Sequence, residues 1–240
     1  MPPENPLLPI CNIKMGSRKA FEKTLRARPY SQFPLRAARS MKPSMMTLPD
    51  DPFTLFAAWF QEAEGAEPND PNAMALATAD AEGRPSVRIV LLKDVDPRGF
   101  TFYTNTLSRK GRELAANPHA HLDFLWKSLG RQVRVDGTAE PVSAAEADAY
   151  FAVRPRASQI GAWASLQSEP LGDRATLEAR VAEFTAKYEG GDVPRPPHWS
   201  GYRIVPARIE FWVARHDRLH ERYIYERAAG DGWSLSMQYP

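Results

Sequence analysis

The chain has 240 residues, of which 43% are hydrophobic and 25% charged, a composition typical of a globular protein with one sizeable core or two small ones. The net charge is only +2, so no overall field calls for a nucleic acid or a membrane as partner. Cys11 is the single cysteine, which excludes a disulfide framework and argues against a zinc site. No metal is predicted. No apolar run reaches membrane-spanning length, and the lone cysteine fits a reducing compartment, so a cytoplasmic protein is expected.

Residues 1–44 differ in charge from the rest of the chain. They hold nine Lys or Arg and two Glu, about +7, which leaves about −5 for the remainder. We predict that they form a basic, disordered arm and that residues 45–240 form one domain. Three interpretations of the arm stay open: a transit peptide, a tail, or a start codon placed too early. In the last case the true start would be Met41, Met45 or Met46.

The first predicted element is a helix that begins at Asp51-Pro52, because aspartate can cap a helix and proline suits its first turn. Three segments rich in β-branched or aromatic residues follow, separated by turn signals. They predict strands at 73–79, 86–93 and 100–104. Ser108 then caps a short helix that is predicted to end at Asn117-Pro118.

The second half of the chain is again strand-rich. Ser143 and Glu146 form a capping box, and Pro155 ends the helix that it opens. The patterns predict strands at 121–126 and 132–139, helices at 143–155 and 173–188, a loop at 190–200, and strands at 208–213, 222–226 and 233–237. Many short strands with a few helices predict an α+β domain built on a small closed barrel.

The sequence Ser108-Arg109-Lys110 places two cations in the first turn of a helix, where the helix dipole prefers negative charge. Backbone N–H groups at a helix start bind anions, so a phosphate at this position would resolve the conflict. Alternatively, both side chains point into water, because the unfavourable dipole contact costs only about 0.3–1 kcal/mol. The spacing alone does not decide between the two.

A second candidate anion site follows the capping-box helix. Tyr150 and Arg154 are four residues apart and are predicted to share one helix face, and Ser158 follows the helix end at Pro155. A guanidinium and two hydroxyls could converge on one phosphate. The alternative is a surface arginine beside a half-buried tyrosine.

Two predicted strands carry polar residues among apolar ones. Arg88 and Lys93 are an odd number of residues apart, so strand alternation predicts opposite faces, serving two anions or two ends of one ligand. Alternatively, they flank an ordinary strand. Gln132 and Arg134 are predicted to share a face, and Gln132 could hydrogen-bond the carbonyl and N–H groups of a heterocycle. The other interpretation of Gln132 is a polar residue at a barrel rim.

Four basic residues follow the strand at 208–213, namely Arg215, Arg218, His220 and Arg222. The even spacing of the last three predicts one shared strand face, and like charges this close usually require an anion nearby. The alternative is that Arg218 and His220 only balance Asp217 and Glu221 on a surface turn.

Together these patterns predict two phosphate sites and a site for a planar heterocycle. No metal-ligand spacing, Gly-rich nucleotide motif or Ser or Cys nucleophile signature accompanies them. In order and spacing, nine segments from about residue 51 to 227 resemble the pyridoxamine 5′-phosphate oxidase family, and RPRASQIGAW is close to diagnostic of it. The segments are RIVLLK (88–93), FYTN (102–105), SRKGREL (108–114), RQVRV (131–135), YFAVRPRASQIGAWAS (150–165), QS (167–168), VPRPPHW (193–199), IEFW (209–212) and RLHER (218–222).

The resemblance implies an FMN-binding split β-barrel of the α+β class with peripheral helices, assembled as a homodimer with sites at the interface. Such an enzyme oxidises pyridoxamine or pyridoxine 5′-phosphate to pyridoxal 5′-phosphate and passes the electrons to dioxygen, giving hydrogen peroxide. The residues implied to bind FMN are Arg88, Ile89, Val90, Leu91, Leu92, Lys93, Tyr103, Thr104, Arg109, Lys110, Gln132, Gln167, Ser168, Trp212 and Arg222. Those implied to bind the substrate are Lys93, Tyr150, Arg154, Ser158, Arg218 and His220, of which the last two would frame the reacting carbon as catalytic residues.

The sequence departs from the family pattern in three places. The N-terminal segment that covers the substrate is not recognisable, the Arg-Leu-x-Pro ending is replaced by Met237-Gln-Tyr-Pro240, and Gly130 stands where arginine is common. Two other classes stay open. One is a split-barrel flavin reductase for another substrate. The other is a non-catalytic protein, either a flavin or pyridoxal-phosphate carrier or a nucleic-acid binder that uses the basic arm.

Overall fold

The computed structural model describes residues 48–228, 230 and 232–240, and residues 48–240 form one compact unit. The predictions made for residues 1–44 lie outside the described residues. No helix in the described part of the chain is long and apolar enough to cross a membrane.

The described residues contain five α-helices and nine strands. The helices are α1 Pro52–Ala66, α2 Arg109–Ala116, α3 Ala144–Ala152, α4 Arg156–Ala164 and α5 Arg174–Lys187. The strands are β1 Ala73–Ala79, β2 Pro85–Leu91, β3 Asp94–Asp96, β4 Gly99–Asn105, β5 His119–Trp126, β6 Arg131–Pro141, β7 Trp199–Val213, β8 Glu221–Arg227 and β9 Trp233–Met237. Short 3-10 turns lie at Lys127–Leu129 and His216–Arg218.

All nine strands belong to one curled antiparallel sheet, in the order β2-β1-β5-β6-β7-β4-β3, with β8 added to β7 and β9 to β8. The long strand β7 pairs with β4 over its first half, with β8 over its second half and with β6 along most of its length. The register with β6 shifts at Asp136/Gly137. A Cβ on Gly137 would lie 2.2 Å from the carbonyl oxygen of Val205, so only glycine lets the two backbones meet at this bend.

The core lies between the inner face of this sheet and α1. Asp51 caps α1 as predicted, since its side chain accepts hydrogen bonds from the N–H groups of Phe53 and Thr54. The fully buried Phe56 ring packs edge-on against Phe100 and Phe124, at centroid distances of 4.9 and 5.2 Å. The α+β class and a curled sheet with peripheral helices are therefore confirmed, whereas the predicted closure of the barrel is wrong: the nine strands form a half barrel, and its end strands β2 and β3 do not pair with each other.

Three local predictions are wrong. Residues 199–200 belong to β7, which begins well before the predicted start at 208, because pairing with β4 continues the strand. Helix α4 was not predicted: Pro155 was interpreted only as the end of α3, although a proline beside the first helical residue also suits a new helix. Residues 94–96 form β3 within the stretch that leads into the predicted turn at 96–99, and β2 ends at Leu91 rather than Lys93.

Candidate active site

One cavity of about 970 Å³ gathers most of the residues that the resemblance implied for binding. It lies along β2 and β4, and the start of α2 and the region of α3 and α4 complete its walls. The implied residues in its lining are Arg88, Ile89, Val90, Leu91, Lys93, Tyr103, Thr104, Arg109, Lys110, Tyr150, Arg154, Ser158, Gln167 and Ser168. Leu92 is an exception, because it is buried in the core and does not line the cavity.

The start of α2 forms part of the cavity wall. Ser108 caps the helix by accepting a hydrogen bond from the N–H of Gly111. The buried ammonium of Lys110 donates to Thr104 Oγ1, Ser108 Oγ and Gln167 Oε1, each at 3.0 Å. Burial, with the charge of Arg88 nearby, lowers the pKa of Lys110 to about 8. The interpretation that both cations point into water is therefore wrong for Lys110.

Glu113, one turn further along α2, holds two of the three arginines that line the cavity, Arg88 and Arg109. Its carboxylate is 5% exposed and accepts hydrogen bonds from Thr78, Ser86, Arg88 and Arg109 at 2.5, 2.6, 3.2 and 2.8 Å. Burial alone would raise the pKa of Glu113, but these hydrogen bonds outweigh it and lower the pKa to about 2.

Sequence reasoning missed Glu113, although its spacing of four from Arg109 on a helix is a signal for an ion pair. The cluster of Arg88, Arg109, Lys110 and Glu113 keeps three cations and one carboxylate, a net charge of +2. That charge suits a phosphate dianion.

Ser168 adds a hydroxyl to the same helix start. Its Oγ accepts a hydrogen bond from the backbone N–H of Arg109 at 3.1 Å. The residue has φ of +76°, in the left-handed region that a non-glycine residue seldom adopts. Strain of this kind persists only where the surroundings hold it, and it concentrates at functional sites.

Aromatic rings and Arg154 line the same cavity. Tyr103 stacks on Tyr150, with ring centroids 4.2 Å apart and planes at 18°. Arg154 lies two residues beyond the end of α3 and not on it as predicted, but it still reaches the cavity, as does Ser158 in the first turn of α4. Nη1 of Arg154 is buried without a hydrogen-bond partner among the described residues, and burial lowers the pKa of the Arg154 guanidinium. A buried, unsatisfied guanidinium nitrogen is costly unless an anion binds there.

Lys93 and Arg88 both line this cavity. The prediction that strand alternation sends them to opposite faces is wrong, because β2 ends at Leu91 and Lys93 follows it outside the strand. No hydrogen bond of the exposed Lys93 side chain is present among the described residues, whereas Arg88 donates to the Leu76 carbonyl and to Glu113.

The remaining implied residues lie on another part of the sheet and do not line the cavity. Gln132, Trp212 and Arg222 are direct neighbours across β6, β7 and β8. His220 packs against Trp212 with ring centroids 4.5 Å apart. Its Nδ1 accepts a hydrogen bond from the N–H of Arg215, so the neutral ring carries its proton on Nε2.

The basic cluster predicted after β7 is only partly preserved. Arg215 forms a two-bond ion pair with Glu221 at 2.9 and 2.7 Å, and Arg222 pairs with the fully buried Glu210 at 2.7 Å. Arg218 lies on a 3-10 turn with φ of +62°, so the predicted shared strand face is wrong for it.

Within the described residues Arg218 forms no ion pair, and Glu221 serves Arg215 instead.

Glu210 holds three arginines beside Trp212. Arg134 and Arg208 pair with its carboxylate in addition to Arg222. Burial raises the pKa of Glu210, but the hydrogen bonds from the arginines outweigh it and lower the pKa to about 2. Gln132 and Arg134 do share a face, as predicted, and Arg134 contributes to this ion-pair network.

Comparison with known protein families decides the family. A family model described as "Pyridoxamine 5'-phosphate oxidase" matches residues 60–188, and one described as "Pyridoxine 5'-phosphate oxidase C-terminal dimerisation region" matches residues 199–240. The chain belongs to the pyridoxamine 5′-phosphate oxidase family.

Two curated relatives, each called "Pyridoxine/pyridoxamine 5'-phosphate oxidase", have high sequence identity to this chain. The protein of Caulobacter vibrioides is 60% identical over 206 residues, covering 86% of this chain and 92% of the relative. That of Rhodospirillum rubrum is 62% identical over 202 residues, covering 82% and 100%.

Solved structures of the family share this fold. The PhzG protein of Burkholderia lata, crystallised with tetrahydrophenazine-1-carboxylic acid, has a TM-score of 0.77 and 38% identity, covering 82% of this chain and 96% of PhzG. A pyridoxamine 5′-phosphate oxidase-related, FMN-binding protein of Nostoc punctiforme has a TM-score of 0.65 and 17% identity, covering 80% and 100%. The sheet is thus the split barrel of the pyridoxamine 5′-phosphate oxidase family.

The structure shows the hydrogen bonds formed at two of the departures from the family pattern, Gly130 and the C-terminus. Gly130 has φ of +60° and its carbonyl accepts a hydrogen bond from the N–H of Ala214, so glycine suits this turn between the 3-10 helix and β6. The altered C-terminus contacts Arg222, because the N–H of Gln238 donates to the Arg222 carbonyl and Arg222 donates to the Tyr239 carbonyl.

Proposed function

We propose that this protein oxidises pyridoxine 5′-phosphate or pyridoxamine 5′-phosphate to pyridoxal 5′-phosphate, with FMN as cofactor and dioxygen as the final electron acceptor. One observation carries the proposal. A single cavity is lined by a cationic helix start and by an arginine with a buried nitrogen that no described protein group satisfies. Stacked tyrosines lie in the same cavity. This lining suits two phosphate groups and the aromatic rings of the molecules that carry them.

The residues at the α2 start fit the phosphate of FMN. Arg88, Arg109 and Lys110 supply charge, and Ser168, whose Oγ only accepts a hydrogen bond from the N–H of Arg109, can donate its own hydroxyl proton. FMN bound there supplies the acceptor for the hydride that leaves the substrate carbon. Glu113 keeps both arginines in place while leaving the cluster positively charged.

The cavity residues around Arg154 fit the substrate phosphate. Arg154, Tyr150, Ser158 and Lys93 provide a guanidinium, two hydroxyls and an ammonium. They act by positioning, since fixing the phosphate fixes the distance of the reacting carbon from the cofactor site. Because its Nδ1 already accepts a hydrogen bond, His220 would use its Nε2–H as a hydrogen-bond donor that orients the oxygen or nitrogen on that carbon, while the proton that this atom loses in the oxidation leaves to water.

We propose that the complete site forms between two protomers of a homodimer. Gln132, Trp212, Arg218, His220 and Arg222 lie outside the cavity of their own chain. Four of them fall in residues 199–240, which match a dimerisation region. The cavity of one protomer would then be completed by the 212–222 segment of its partner.

The spectrum of the purified protein tests the activity. We expect flavin absorbance with one FMN per chain, bleaching by pyridoxine 5′-phosphate without oxygen, and recovery with hydrogen peroxide formation in air. A flavin reductase for another substrate would keep the absorbance and not bleach with this substrate. A carrier would bind pyridoxal 5′-phosphate without turnover, and a colourless protein would refute the FMN site.

Hybrid dimers test the shared site. Arg154→Ala and Arg218→Ala proteins are mixed after reversible dissociation and assayed at a substrate concentration near the wild-type KM, where each is poorly active alone. If the site uses both chains, the hybrid contains one site with both residues intact, and activity returns. If each site lies within one chain, every site keeps a defect and no activity returns. Arg154→Ala mixed with Arg154→Ala is the matched control.

The single cysteine and the absence of any disulfide framework also support a cytoplasmic location. Fractionation of the cells that produce the protein would test it, and recovery with the organelle or envelope fraction would contradict it.

A further inference from the structure

Trp199 lies at the start of β7 and is not among the residues implied to bind FMN or substrate. Its side chain is 5% exposed and lines the cavity. The ring stacks on Tyr103, with centroids 5.3 Å apart and planes at 7°, and lies at 11° to the ring of Tyr150, 6.1 Å away. The three rings form one nearly parallel aromatic group beside the candidate phosphate site.

The guanidinium of Arg154 lies over this group. Its Cζ is 4.7 Å from the centroid of the Trp199 ring and 5.5 Å from that of Phe151. Among the described residues no acid pairs with Arg154, and its buried Nη1 has no partner. A tryptophan face attracts a guanidinium strongly when the contact is desolvated. The ring therefore stabilises a half-buried cation that would elsewhere need a carboxylate.

We propose that Trp199 is a positioning residue that holds Arg154 through its π face, so that the N–H groups of the guanidinium stay available for the phosphate monoester of the substrate. This rests on the proposed function. The five N–H donors of arginine lie in the plane of the guanidinium, whereas an aromatic ring attracts the cation without using them. A carboxylate partner would occupy these donors and repel the phosphate.

The test compares Trp199→Leu and Trp199→Phe in the holoenzyme. Leucine keeps an apolar side chain but has no π face, so we expect KM for pyridoxine 5′-phosphate to rise about 10- to 30-fold, with kcat changed by less than about 3-fold. The dissociation constant of pyridoxal 5′-phosphate should rise in parallel. Phenylalanine keeps a weaker π face, so Trp199→Phe should restore most of the affinity. Equal KM values for wild type and Trp199→Leu would overturn the proposal.

Trp163→Leu is the matched control. Trp163 belongs to the same small aromatic region and stacks on Phe184, but it neither contacts Arg154 nor lines the cavity. We expect it to lower the melting temperature and to leave KM within about 2-fold of wild type. If Trp163→Leu raises KM as much as Trp199→Leu does, the effect is general loss of packing and the proposal fails. If Trp199→Leu does not fold, Trp199→Phe against Trp163→Phe gives the same comparison.

A double variant separates this inference from the proposed function. If Trp199 acts through Arg154, adding Trp199→Leu to Arg154→Ala raises KM by less than about 2-fold more. Independent, additive effects would overturn the positioning role. If Arg154→Ala weakens binding but Trp199→Leu does not, only the role of Trp199 fails. If Arg154→Ala itself leaves KM and product binding unchanged, the phosphate site of the proposed function is wrong, and this inference falls with it.

Discussion

Replacing Lys110 by methionine should change stability and FMN binding in opposite directions. The side chain is 9% exposed, and the three partners of its ammonium are neutral oxygens of Thr104, Ser108 and Gln167. Burial, together with the charge of Arg88, lowers the pKa of Lys110 from 10.5 to about 8. Below pH 8 this difference corresponds to a cost of about 3 kcal/mol to the FMN-free fold.

Methionine has a similar length and no charge, so Lys110→Met removes that cost. The oxygens left behind keep other contacts, since Ser108 Oγ donates to the Asn105 carbonyl at 2.7 Å and Thr104 Oγ1 donates to Gln167 at 3.3 Å. Loss of the three hydrogen bonds from the Lys110 ammonium destabilises the variant by about 1–2 kcal/mol, which offsets part of that stabilisation. We expect the FMN-free variant to be about 1–2 kcal/mol more stable at pH 7. Its affinity for FMN should fall about 10- to 100-fold, because a charge-assisted hydrogen bond to the phosphate is lost.

The pH dependence has a definite sign. Between pH 8 and 10 the folded Lys110 is neutral while the unfolded chain still binds a proton, so wild-type stability rises with pH relative to Lys110→Met. The advantage of the variant should therefore shrink across that range. Urea unfolding of both FMN-free proteins at two pH values, with FMN titration followed by flavin fluorescence, measures both effects. A variant that loses stability at pH 7 and binds FMN as tightly as wild type would refute the reasoning.

Three further predictions concern other residues. Glu113→Ala should lower the free energy of unfolding by about 3–5 kcal/mol at pH 7. Urea unfolding should show this difference shrinking as the pH falls from 4.5 towards 2, because a carboxyl with a depressed pKa loses its stabilisation there. A difference that stays constant over this pH range would contradict the prediction. In steady-state kinetics Arg154→Ala should mainly raise KM, while Arg218→Ala and His220→Ala should mainly lower kcat; wild-type constants in the last two would show that the candidate site is wrong. A protein that starts at Met45 should keep its fold and FMN, and a large fall in melting temperature would show that residues 1–44 stabilise the domain.

Local sequence signals correctly predicted the elements that depend only on residues close together in the chain. Asp51, Ser108 and Ser143 cap helices where they were predicted to, because a cap depends on a side chain and the N–H groups two or three residues later. Strand β1 has the predicted bounds, 73–79. The start of β7 was missed, because residues 190–200 have the composition of a loop and only pairing with β4 makes 199–204 a strand.

The sequence by itself also determined the family and the types of residue that bind anions, because those are carried by motifs within short segments. Only the tertiary structure decided which of them meet. Lys110 and Gln167 are 57 positions apart and hydrogen-bond at 3.0 Å, and Tyr103 stacks on Trp199 from another strand. The tertiary structure also showed that the residues around Trp212 lie away from the cavity of their own chain. Contacts of this kind depend on strand register and on the curvature of the sheet, which arise from the packing of the whole core rather than from any local pattern.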